Sequence, residues 1–88
     1  MRFITFDREL INVSNIGMIT RRTDKDKNEI NGFMIILSFV HPIVSYRVDK
    51  NGSEIPMKFD YLTEWFDSDE LDKFDTRDQE LRDILSTL

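Results

Sequence analysis

Gly32-Phe33-Met34-Ile35-Ile36-Leu37-Ser38-Phe39-Val40 is a nearly unbroken apolar run, and its reading decides the fold. Its length and its β-branched and aromatic content predict a central strand, of the kind covered on both faces. Just beyond it, His41-Pro42 is expected to interrupt pairing, because proline has no N–H to donate and pushes the residue before it toward extended geometry. Pairing should resume over Ile43 to Val48, with Val44, Tyr46 and Val48 on one face and Ser45 and Arg47 on the other. Asn51-Gly52 tolerates positive φ and predicts a hairpin. Glu54 to Phe59 would then return antiparallel with Ile55, Met57 and Phe59 inward, and Pro56 points to an edge position.

Upstream of the run, Thr23 to Glu29 holds no apolar residue and predicts an exposed, mobile loop. Arg2 to Phe6, Leu10 to Val13 and Ile16 to Arg22 read as strands. They are joined by a polar turn at Asp7-Arg8-Glu9 and through Ser14-Asn15, with Gly17 marking a bulge.

From Asp60 the spacing turns helical. Leu62, Trp65 and Phe66 stand at i, i+3 and i+4 behind Asp60 as a cap. Asp67-Ser68-Asp69-Glu70 and Thr76-Arg77-Asp78-Gln79 each resemble a capping box, and Leu81, Ile84, Leu85 and Leu88 share a helical face. Two or three helical pieces are expected, with Leu71 and Phe74 in a short helix of their own or in one long helix. The fold class is therefore α+β: an antiparallel β-meander of about five strands, open or a partial barrel, with C-terminal helices packed on it. It reads as a single domain over 1–88, with the β-meander at 1–59 and an acidic helical C-terminus at 60–88.

The 88 residues carry a net charge of −5 and no cysteine. Thiolate metal sites, disulfides and thiol nucleophiles are thereby excluded. Asp24, Asp26 and Asn28 fit the first places of a calcium loop, but Glu29 replaces its turn glycine and Ile35 its bidentate glutamate. His41 is the only histidine, and no catalytic or metal-binding motif surrounds it. No Gly-x-Ser-x-Gly and no Gly-rich phosphate loop occurs. The expectation is a non-enzymatic protein with no cofactor and no metal. The opening residues lack an apolar stretch long enough for a signal peptide or membrane span, so the chain reads as cytoplasmic, with no membrane partner.

Charge is unevenly spread. Residues 1–58 hold nine Lys/Arg and seven Asp/Glu, a balance of +2, whereas residues 59–88 hold three and ten, a balance of −7. Acids near helix N-termini are favoured by the macrodipole, and the run reads first as the wet face of amphipathic helices; its total, with few lysines to offset self-repulsion, also fits a surface complementary to a basic partner. Asp67, Asp69, Glu70, Asp72, Asp75 and Asp78 are the candidate docking residues for a protein partner, in a regulator or inhibitor of bacterial or bacteriophage type. Trp65 and Phe66 are expected on the sheet; an exposed Trp65 beside the acids would instead anchor a partner. The alternative is a nucleic-acid contact through Arg21, Arg22, Lys25 and Lys27, weakened by the interleaved Asp24, Asp26 and Glu29. A third reading is a structural homodimer joined through a sheet edge or the C-terminal helix.

Overall fold

A computed structural model describes residues 2–87. Its elements run β1 (Phe3–Phe6), β2 (Glu9–Asn12), a short 3-10 turn (Val13–Asn15), β3 (Ile16–Asp26), β4 (Glu29–Val48), β5 (Glu54–Asp67) and α1 (Leu71–Ser86). β1 and β2 form an antiparallel hairpin, and β3, β4 and β5 form an antiparallel sheet with β4 in the middle. The architecture is α+β and open, since β3 and β5 remain separate edges.

The apolar run lies in the first half of β4. Ile35 and Leu37 have no exposed surface, and Phe33 is buried beside them. Phe74 of α1 stacks on Phe33 with ring centroids 5.0 Å apart and meets Phe66 at 5.7 Å. Phe6 and Ile11 of the β1–β2 hairpin join the same core, together with Leu62 and Leu81. Helix and hairpin thus share the inner face of the sheet. Each such side chain contributes about 1.5–3 kcal/mol through burial, and a chain of this length depends on every one of them.

Residues 60–67 depart from the helical expectation. They extend β5, with Leu62, Glu64 and Phe66 opposite Leu37, Ile35 and Phe33. The helical spacing of Leu62, Trp65 and Phe66 coexists with a strand alternation, and the strand prevails for two reasons. Tyr61, Thr63, Trp65 and Phe66 favour extended backbone. Without β5, the N–H and C=O groups along one side of buried β4 would have no partner. The helical part is a single helix: Thr76 to Gln79 lies within it, because extending a helix costs far less than nucleating another. Phe74, Asp78 and Leu81 face inward along α1; Leu88, expected on the same face, lies outside the described residues.

Thr23 to Glu29 is strand and tight turn, with Asp26 opposite Glu29 and Lys27 at φ 55°. Its side chains do favour water, but an exposed hairpin gives them water while its backbone stays paired. His41-Pro42 bends one strand and does not separate two. Pairing with β5 passes from Ser38–Tyr61 to Ile43–Phe59, so Phe39 to Pro42 bulge opposite Asp60. Asn15 holds this bulge: its side-chain oxygen accepts from the His41 N–H, and its amide donates to the His41 carbonyl, both at 2.9 Å.

Candidate functional site

The acidic candidates divide by what each carboxylate touches. Asp78 is buried under the sheet. It accepts from Arg21 at 3.1 Å and from the Arg82 Nε at 3.0 and 3.1 Å. Asp75 takes the second arm of Arg21, whose guanidinium also lies 4.5 Å from the centre of the Phe74 ring. The Asp75 hydrogen bond, joined by Asp78 and opposed by desolvation, raises the Arg21 pKa. The sequence places Arg21 in one candidate site and Asp75 and Asp78 in the rival one. Folding brings them together, and each neutralises the other.

Asp67, Asp69 and Glu70 turn the chain from β5 into α1, with carboxylate oxygens within 4.8 Å of one another. The Glu70 carboxylate accepts from the Asp67 N–H at 2.9 Å and from Lys73 at 3.2 Å. The backbone bond first and Lys73 second hold the Glu70 pKa below its ordinary value. Asp67 accepts from the Trp65 indole N–H at 3.0 Å. Two of the three carboxylates are therefore engaged by the chain itself. This cluster is the grouping nearest to a cation site among the described residues, and its partners are those of a helix-entry turn.

Asp69 and Asp72 are exposed and make no ion pair among the described residues. Glu80 and Asp83 share their side of the helix: Glu80 pairs with Arg77 at 2.8 Å, and Asp83 accepts from Gln79 at 2.8 Å. Arg77 is turned under the helix, bound to Glu64 and to the Thr5 carbonyl. Burial pulls its pKa down, Glu64 and Glu80 pull it up, and the net direction is upward.

The basic alternative does not assemble on one surface. Arg21 faces the helix, its neighbour Arg22 lies on the opposite face of the sheet, and Lys25 and Lys27 stand at the hairpin tip among Asp24, Asp26 and Glu29. His41 is exposed at the bulge, and the hydrogen bonds it makes are through its backbone. No buried side-chain nitrogen or oxygen lacks a partner among the described residues, so none is aimed into a cavity. No helix among them is long and apolar enough to cross a membrane.

The surface that sequence reasoning missed is the outer face of the sheet. In register across β3, β4 and β5 it presents the rows Arg22-Met34-Trp65, Thr20-Ile36-Thr63 and Met18-Ser38-Tyr61. Met18 is 59% exposed, Tyr61 57% and Trp65 47%. A shallow depression of about 490 Å³ lies among Arg22, Met34, Ile36, Ser38, Tyr61 and Thr63. Trp65 lies over Gly32, where an added Cβ would come within 2.2 Å of the indole. The available signal was the alternation of Tyr61, Thr63 and Trp65, which the helical reading obscured. Compared with protein-family models, with curated proteins and with solved structures, the chain matches none of them.

Proposed function

We propose that this chain is a non-enzymatic protein-interaction module, a regulator or inhibitor that meets a basic protein partner with the outward face of α1. The observation that supports this reading is which carboxylates the chain leaves over. Lys73, Arg77 and Arg82, the basic residues of the helix, are engaged by Glu70, by Glu64 and Glu80, and by Asp78. Asp69, Asp72 and Asp83 remain without an ion pair among the described residues. Exposed acids of one sign attract and orient an oppositely charged surface more than they stabilise their own fold.

The test is affinity capture from the native host with the wild-type chain and with an Asp69→Asn, Asp72→Asn, Asp83→Asn variant. The expected result is a partner that wild type retains, that elutes near 1 M salt, where charges are screened within about 3 Å, and that the variant fails to retain. Equal recovery by both chains would overturn the reading. These three positions avoid Asp75 and Asp78, whose loss would disturb the fold itself.

A further inference from the structure

The sequence of β4 is that of a strand covered on both faces, yet only its inner face is covered. Helix α1 and the β1–β2 hairpin lie over Phe33, Ile35 and Leu37, while Met34 and Ile36 look outward among Met18, Tyr61 and Trp65. We propose that the missing layer is a second copy of this chain, with the outer faces of the two β3–β4–β5 sheets packed together. This proposal is independent of the partner reading, because the acids of α1 lie on the other side of the sheet.

The dimensions leave area for a further layer, beside what the exposed hairpin arms at 21–31 and 46–58 contribute. The molecule measures 41 × 38 × 17 Å, with a radius of gyration of 14.8 Å against about 12 Å for a compact chain of this length. Its accessible surface is 6377 Å², whereas a folded monomer of 10.5 kDa exposes about 5,400 Å². The excess, about 1,000 Å², is near the roughly 800 Å² that each partner contributes to a standard-size interface.

The chemistry of the face points to a copy of itself. A two-fold axis running along β4, midway between the sheets, places β3 of one copy over β5 of the other. Arg22 then meets the second copy's Trp65, a cation–π pairing, with that copy's Asp67 beside the indole. Met18 meets Tyr61, a favourable sulfur–aromatic contact, Thr20 meets Thr63, and Met34 and Ile36 each meet their own counterpart. An axis running across the strands would set Arg22 against Met18 and leave the guanidinium without a partner. Aligned sheets pack about 10 Å apart and about 30° askew, so the middle row superposes and the long corner side chains reach across. Arg22 is the only charged residue among these nine positions. The acidic helices of both copies face outward, and the acids that border the face, Asp24 and Asp67, stand in the row beyond Arg22.

Sedimentation velocity of the full chain across micromolar concentrations is expected to show reversible dimers. Trp65→Arg, which sets arginine against arginine, should weaken the dimer about thirtyfold or more. Arg22→Trp combined with Trp65→Arg restores the pairing with its members exchanged, and should restore the dimer. Ile36→Lys, on the axis, should give a monomer with an unchanged far-ultraviolet circular dichroism spectrum. A wild-type chain that stays monomeric throughout would overturn the proposal. So would a dimer indifferent to Trp65→Arg and Ile36→Lys, which would place association at a sheet edge or at the helix.

Discussion

Leu37 and Ile36 are neighbours on one strand and sit in opposite worlds. Leu37 is sealed beneath α1 and the β1–β2 hairpin, while Ile36 lies partly exposed at the centre of the outer face. Side chains alternate across a strand, so a continuous apolar run states that both faces want cover but not where each cover comes from. Among the described residues, 16 in a helix and one short hairpin suffice for a single face. The largest expected effect tests that asymmetry. Leu37→Ala should cost about 2–5 kcal/mol in urea unfolding, and Ile36→Ala about 1 kcal/mol or less at dilutions that favour monomer. Equal losses would mean that the outer face is buried within the monomer, and the contrast between the faces would collapse.

Electrostatics follows the same division. Asp78 and Asp72 are both acids of α1, yet one is a buried internal partner and the other stands in water. Asp78→Asn removes the charge that Arg21 and Arg82 share and should cost about 1.5–3 kcal/mol. The lower half of that range is expected, because both arginines are nearly half-exposed and solvent screens them. Asp72→Asn should change stability by no more than about 0.5 kcal/mol. Urea midpoints of the two variants sharpen the assignment of acids to fold or to partner, and a costly Asp72→Asn would remove that residue from the docking face.

The parts of this structure that the sequence made legible are those fixed by neighbouring residues. Phe3 to Phe6, the bulge at Gly17, the Asn51-Gly52 hairpin and the edge position of Pro56 all follow from local preference. The segment 60–67 was hidden because Leu62, Trp65 and Phe66 satisfy both periods at once, and the deciding fact, the need of β4 for a second neighbour, is non-local. The acidic candidates were found by composition, but composition cannot show that Asp75 and Asp78 would be spent on Arg21, which lies more than fifty residues earlier in the chain. Helical spacing pairs Trp65 with Phe66. In a strand they part, Phe66 to the core and Trp65 to the surface.

The most local expected effect concerns the bend that separates the two halves of β4. Beyond the bulge, Ser45 is buried and binds Glu9 of β2, while Val44, Tyr46 and Val48 continue outward on the exposed side. The Asn15 side chain, bonded to both backbone groups of His41, fastens the bulge to the 3-10 turn before β3, beside the Ile16–Phe39 pair. Asn15→Ala removes two neutral hydrogen bonds at an exposed site, together worth about 1–2 kcal/mol at most. Its signature should be local: hydrogen exchange at the His41 amide accelerates while the Leu37 amide keeps its protection. Asn15→Asp separates the two bonds, since a carboxylate still accepts from the His41 N–H but cannot donate to its carbonyl. Intermediate protection at His41 is expected for Asn15→Asp, and protection unchanged in both variants would mean that the bend is held by strand pairing alone.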